Sequence, residues 1–297
     1  MNDLKDIFKD YNFKINSLKH RGNVTILDTD RGIFVYKENS NNYDIYDYLN
    51  TRGFSYYPKS LNPKNSKYDL VEFIKDNSVL NVERVNDLIH VTGILHRTTS
   101  FHKEIDLDEL KMMYENLVKE ADYLMNYYHD LNNYIDSITF MSPVEYLLVS
   151  NLDLFYYLIS FVKIESMNWY KEMQNKKIIR FSMIHDNLKL DHLLENNKPY
   201  LISWNKAHLD LPMKDLKTIY EENFYDLDLE DFIKEYEKEF RLTDDEKLFF
   251  LLNISLPKRI EFTKNTYLDC YNLSNYLVYL RKIASIVQKI EKKKQKN

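Results

Sequence analysis

Residues 184–204 begin Ile184-His185-Asp186-Asn187-Leu188-Lys189-Leu190-Asp191-His192-Leu193-Leu194 and end Tyr200-Leu201-Ile202-Ser203-Trp204. Apolar runs flank a polar loop, so short strands are expected at Leu193-Leu194 and Tyr200 to Trp204, with Ile178 to Met183 before them. This hairpin-like stretch interrupts helical periodicity on both sides. It also concentrates side chains that carry chemistry: His185, Asp186, Asn187, Asp191, His192 and Ser203. No glycine occurs in it, or anywhere from Ile94 to Asn297. Chemistry that relies on a C-terminal glycine loop is therefore excluded, because phosphate cradles need residues free of a Cβ.

Upstream, the pattern changes. The 297 residues hold only 4 glycines, Gly22, Gly32, Gly53 and Gly93. That is too few for a Rossmann domain, a P-loop NTPase or a glycine-turned sandwich. Short strands are expected at Asn12 to Leu18, Val24 to Thr29 and Ile33 to Glu38, separated by glycine turns. Asn41 to Thr51 reads as a helix ended by Gly53. Phe54 to Leu61 and Lys67 to Phe73 read as two more strands. The first 75 residues thus spell β-β-β-α-β-β. From Val79 onward helical spacing dominates: Val82 to His96, Leu107 to Ile135 with Asp106 as cap, and Val144 to Met173 starting beside Pro143. After Pro212 the chain returns to helices. Two domains are expected, 1–75 and 76–297, with the boundary near Ile74 to Ser78.

The net charge of -5 disfavours a nucleic-acid binder, and the basic run from Lys289 to Lys296 reads as a solvated helix end. One cysteine, Cys270, excludes an internal disulfide, fits a reducing cytoplasm and reads as a buried apolar thiol. The start, MNDLKDIFKD, is too charged for a signal peptide. Glu145, Asn151 and Asp153 interrupt the most apolar stretch, so a core helix is expected there and no membrane span.

Several segments then line up in order. Ile33-Phe34-Val35-Tyr36-Lys37 resembles the third strand of kinases, whose lysine pairs with nucleotide phosphates. Leu70-Val71-Glu72-Phe73-Ile74 resembles their hinge strand, where backbone groups bind adenine. Leu95-His96-Arg97-Thr98-Thr99 resembles the LHxxT helix end of aminoglycoside phosphotransferases. Ile184 to Leu194 resembles their catalytic loop, HGDxxxxNxL, and Tyr200 to Trp204 their metal-binding LIDW segment. Pro212, Asp215 and Leu216 match the DPxxDL element that follows. Lys247 to Phe262 resembles the spore coat kinase-like branch of the same superfamily. The resemblance implies an α+β, protein kinase-like fold of the aminoglycoside phosphotransferase and choline kinase type. It would have a small five-stranded N-terminal lobe with one helix and a large helical C-terminal lobe.

The departures from that pattern carry as much meaning as the matches. By the resemblance, Asn187 stands where the family has its base, and a neutral amide cannot take up a proton at pH 7. His192 and Ser203 stand at the two metal-binding positions, in place of asparagine and aspartate. Imidazole nitrogen suits a hard cation poorly, and a hydroxyl lacks charge. Lys37, Asp44, Glu72, Phe73 and Ile74 are the implied nucleotide contacts, with Asp44 the candidate acid for pairing Lys37. Asp186 and Asp191, each one residue before a lost group, are candidates for rescue. The expectation is a catalytically degenerate pseudokinase that requires no cofactor and binds ATP and Mg²⁺ weakly. Its partner would be a protein or a small molecule in the cleft, with no nucleic acid. Its place would be the cytoplasm or, by the resemblance, a spore coat. The alternatives are an active small-molecule kinase with atypical metal ligands and a structural component of a spore or surface assembly.

Overall fold

The computed structural model describes residues 13–38, 40, 42–61, 66–77, 80–263 and 265–294. In chain order they form β1 (Ile15–Arg21), β2 (Val24–Thr29), β3 (Gly32–Glu38), α1 (Tyr43–Thr51), β4 (Tyr68–Glu72) and α2 (Asn81–Thr99). Then come β5 (Phe101–Glu104), α3 (Leu107–Asp136), α4 (Pro143–Val149), α5 (Leu152–Lys176) and β6 (Ile178–Ile184). The rest are β7 (Leu193–Glu195), β8 (Pro199–Leu201), β9 (His208–Asp210), α6 (Met213–Asn223), α7 (Leu229–Glu237), α8 (Asp244–Ser255) and α9 (Thr266–Lys294). The expected features at MNDLKDIFKD, Asn12, Asn41, Ser78, Val79 and Gln295-Lys296 lie outside the described residues.

The chain divides into two compact units, residues 1–101 with 181–241, and residues 102–180 with 242–297. The first contains an antiparallel sheet in the order β1-β2-β3-β4. Leu27, Phe34, Tyr36 and Leu70 form a buried cluster on one of its faces. Because strand side chains alternate, Val24, Val35, Lys37, Asp69 and Val71 fall on the other face. Helix α1 stops as its composition dictates. Gly53 adopts φ +76°, Gly53 N–H donates to the Asn50 carbonyl, and Phe54 N–H reaches back to that of Leu49. This is the paired closure that a left-handed glycine permits.

The strand expected at Phe54 to Leu61 is absent, so the sheet is four-stranded among the described residues, not five. Pro58 lies within that segment and cannot donate to a ladder. Only an isolated bridge remains, Ser60 to Val71. Phe54 packs into the interior instead, edge-on to Trp204. In the same unit β7 and β8 form a two-stranded hairpin, and β6 pairs antiparallel with β9. Gly93 of α2 brings that helix close to the end of α7, where a Cβ would stand 2.8 Å from Glu239 Cβ.

The second unit is helical around the buried Leu117, Tyr128, Phe155, Leu158, Leu277 and Ile283. Asp106 caps α3 as expected, accepting from Asp108 N–H. The single helix expected from Val144 to Met173 is two helices, α4 and α5, bent by 45°. Asn151 is the cause. Its side chain takes the Leu147 carbonyl, while its own N–H shifts to Leu148. No single helix among the described residues is long and apolar enough to cross a membrane; α4 and α5 reach that size only together, across the bend. Cys270 on α9 is half-buried, not buried as expected, and it is free.

Candidate functional site

Register places the site. Arg21 pairs with Val24, Thr25 with Tyr36, and Lys37 with Asp69. Arg21, Val24, Lys37 and Asp69 therefore form one transverse row of the sheet. Two residues along, Val35 pairs with Val71 in a parallel apolar row. Both rows, with Phe73 and Ile74 beyond them, line a cavity of 510 Å³ in the first unit. Leu194, Ile202 and Ser203 contribute to the same wall. The segment after β4, Phe73 to Asn77, is fixed at both ends. Phe73 N–H donates to the Ile33 carbonyl, and Asn77 N–H to that of Glu195. Asp76 accepts from Glu195 N–H and holds Arg84 at 2.9 Å.

Asp69 is buried, and both its oxygens are engaged. Asn42 N–H donates to Oδ1 at 2.9 Å, and Ser40 Oγ and Asn42 Nδ2 donate to Oδ2. Asn42 is the residue that caps α1, so the carboxylate sits at the positive end of that helix dipole. Burial first, and then the Asp69 charge, pushes the neighbouring Tyr46 phenol up, so it stays neutral.

The loop after β6 is held from behind by Asp215 of α6, which is fully buried. Its Oδ2 accepts His185 N–H at 2.8 Å, and its Oδ1 accepts Asp186 N–H at 2.9 Å. His96 Nε2 of α2 meets Oδ2 at 3.2 Å, and His96 Nδ1 meets the Tyr236 hydroxyl at 2.6 Å. A neutral imidazole satisfies both contacts when Nε2 donates and Nδ1 accepts. Burial alone would raise the Asp215 carboxyl; the His96 contact, His185 and the backbone donors outweigh it and hold it below the usual range. His185 donates from Nε2 to the Ile202 carbonyl at 2.9 Å and packs edge-on to Trp204. Its Nδ1 is buried without a partner. Burial pushes its basicity down, which keeps the ring neutral.

The residues singled out from sequence divide accordingly. Lys37, Glu72, Phe73, Ile74 and Ser203 line one cavity. Asn187 and His192 stand outside that lining and are joined to each other, His192 Nδ1 meeting the Asn187 carbonyl at 2.6 Å. Asp44 is exposed on the first turn of α1 and does not line the cavity; the acid beside Lys37 on the sheet is Asp69. Asp186 and Asp191 are exposed. Sequence reasoning missed Asp69 and Arg21. A charged residue inside the apolar run Tyr68 to Val71 was the available signal for Asp69. Arg21 gave none.

No protein-family model matches the sequence. No curated protein sequence matches it either. Solved structures do. One is the crystal structure of an aminoglycoside phosphotransferase from Alicyclobacillus acidocaldarius, with TM-score 0.68 and 11% identity over 93% of each chain. Another is a spectinomycin phosphotransferase in an AMP-bound complex, with TM-score 0.52 and 13% identity over 95% of this chain and 94% of that one. At such identities the likeness is one of fold. The chain has an α+β, kinase-like fold of the aminoglycoside phosphotransferase type.

Kinase-type phosphotransfer draws on Mg²⁺, and by the family resemblance Asn187, His192 and Ser203 would be its loop donors. None of them supplies the negatively charged oxygen that holds a hard cation firmly. Asn187 is an amide, Ser203 a hydroxyl, and His192 an imidazole whose Nδ1 already meets a carbonyl. Among the described residues no three His, Cys, Asp or Glu side chains converge as a metal-holding group.

Proposed function

We propose that this protein is a catalytically degenerate, kinase-like binding or scaffold protein. One observation carries the reading. The catalytic loop keeps its supporting frame, Asp215 with His96 and the backbone of His185 and Asp186, while Asn187, His192 and Ser203 supply no carboxylate. Loss of a positioned base costs about 10²–10⁴ in rate, and loss of metal clamping costs several kcal/mol more. The stretch Lys247 to Phe262 supports a spore coat-associated place.

The alternative, an active small-molecule kinase, draws on Lys37 and the hinge sharing one cavity and on the exposed carboxylates of Asp186 and Asp191. The deciding experiment is phosphotransfer from labelled ATP with Mg²⁺ or Mn²⁺ to a panel of amino and hydroxyl compounds. No transfer above blank is expected. Metal-dependent transfer that Lys37→Ala abolishes overturns the proposal.

A further inference from the structure

We infer that a second cavity, on the Phe34 side of the sheet, takes a small aromatic dianion, a ring carrying one phosphate or two carboxylates. It is separate from the first cavity, which Lys37 and Ser203 line, and the inference holds whether or not the loop after β6 transfers phosphate. The second cavity measures 680 Å³, within the roughly 300–1,000 Å³ of small-molecule sites. Phe34 and Val35 are successive on β3 and so point to opposite faces. Val35 lines the first cavity and Phe34 the second. Phe13 and Leu61, which pack against the buried cluster of Leu27, Phe34, Tyr36 and Leu70, join the second wall with Ile33 and Phe73. The Phe13 and Phe34 rings are stacked, 5.2 Å apart with 9° between their planes. Ile33, 44% exposed, and the half-buried Phe73 leave apolar surface uncovered. A flat ring covers such a wall and adds a further aromatic contact.

Charge selects the anion. Three cations, Arg31, Lys59 and Lys75, line this cavity with a single carboxylate, Glu72, so two positive charges stand in excess. The first cavity has no such excess: Arg21, Lys37 and Lys75 are matched there by Asp69, Glu72 and Asp76. Adjacent acids do not make up the difference in the second. Asp30, beside Arg31 in sequence, turns to the Lys14 N–H, and Asp76, beside Lys75, holds Arg84; neither lines it. Among the described residues none of Arg31, Lys59 and Lys75 forms an ion pair or donates a side-chain hydrogen bond. The Arg31 guanidinium lies over the Phe13 ring, 5.5 Å from its centroid. That contact orients the group and leaves its N–H donors for an anion, which a guanidinium grips with two parallel bonds. A phosphomonoester carries about two negative charges near neutral pH, as does an aromatic dicarboxylate. Either offsets the excess, whereas a monoanion leaves one positive charge unmatched.

Calorimetry on the full chain in EDTA tests this with phenyl phosphate, benzene-1,2-dicarboxylate, benzoate, benzyl alcohol and inorganic phosphate. Phenyl phosphate or the dicarboxylate should bind roughly tenfold or more tighter than the other three, as charge-assisted contacts to a ring-borne dianion imply. Which of the two binds tells a phosphate site from a dicarboxylate site. The affinity should fall as salt rises, because the cations are exposed. Arg31→Gln and Lys59→Gln should each weaken binding about tenfold, and Glu72→Gln should strengthen it by removing the opposing charge. Arg31 and Lys59 are exposed, and melting curves confirm that the variants fold. No binding of either dianion, equal affinity for benzoate, or equal affinity for inorganic phosphate overturns the inference. Binding that Arg31→Gln or Lys59→Gln leaves unchanged overturns it as well. Binding that Lys37→Gln abolishes puts the ligand in the first cavity and also overturns it.

Discussion

Replacing Asp215 with asparagine tests whether one buried carboxylate holds the loop. The side chain is fully buried and accepts three donors, His96 Nε2, His185 N–H and Asp186 N–H. The amide has one acceptor oxygen. Placed at the Oδ2 position, it keeps His96 and His185 but turns its NH₂ toward Asp186 N–H. Placed at the Oδ1 position, it orphans two buried donors instead. The first arrangement is cheaper, because Asp186 is exposed and solvent relieves part of the mismatch. An unsatisfied buried donor costs about 1–3 kcal/mol, and the charge-assisted part of the two retained bonds is lost as well. The expected loss is about 3 kcal/mol. Urea unfolding followed by circular dichroism reads it as a lower midpoint at constant slope. Amide exchange at His185 and Asp186 should accelerate more than exchange in α3. A loss under about 0.5 kcal/mol, or uniform acceleration across the chain, refutes the assigned role.

Gly93→Ala puts a Cβ 2.8 Å from Glu239 Cβ and 3.4 Å from the Tyr236 carbonyl. Overpacking of about 1–3 kcal/mol exceeds the gain of up to ~1 kcal/mol in helix propensity, so the urea midpoint should fall. For pH, burial holds the folded His185 below its ordinary value. Between that lowered value and about 6.5 the unfolded chain binds a proton that the folded chain does not. Stability is therefore expected to fall as pH drops below about 6.5, by at most ~1.4 kcal/mol per pH unit from this ring. His185→Gln should flatten that slope. Asp215, also held low, acts in the same sense from about pH 5 downward, as its unfolded carboxyl protonates with a midpoint near 3.9. The combined variant Asn187→Asp, His192→Asn, Ser203→Asp should gain a Mg²⁺-dependent rise in melting temperature with ATP that the wild type lacks; a rise already present in the wild type contradicts the reading of the loop donors.

The strands at Ile178 to Met183 and Leu193-Leu194 were legible because their apolar blocks flank a polar loop, but the strand expected at Tyr200 to Trp204 stops at Leu201, since Ser203 turns left-handed and Trp204 opens a short helical turn. β2 was legible to the residue, since Gly22 and Gly32 mark the turns on either side. Two further misread segments share a cause. Phe54 to Leu61 has strand composition, but Pro58 removes a ladder donor. Val144 to Met173 has helical spacing, but the Asn151 side chain competes for a backbone carbonyl. One side chain decides against the regional average in both. The acid beside Lys37 was hidden for another reason. The family resemblance pointed to an acid on the helix, Asp44, whereas strand register, which no local pattern shows, set Asp69 opposite Lys37.

The wall of the cavity at Lys37 and the loop after β6 depend on different parts of the chain. The sheet-side wall of that cavity is a property of strand pairing: Arg21, Lys37, Val35 and Val71 are placed by it alone. The loop's shape is a property of buried partners away from its reactive positions. Asp186 and Ser203 both hold positive φ, +53° and +69°, a conformation costing about 1–2 kcal/mol for a residue with a Cβ. Aspartate relieves part of that cost through local hydrogen bonding; serine is a poorer choice. Ser203 is nonetheless held there by its neighbours. Ile202 N–H donates to the His192 carbonyl, His185 to the Ile202 carbonyl, and the Trp204 indole to that of Leu201. None of these bonds uses a side chain at 187 or 203, and His192 enters only through its carbonyl. Substitution at 187 or 203 therefore leaves these bonds intact, whereas substitution at 192 removes the side-chain contact to the Asn187 carbonyl.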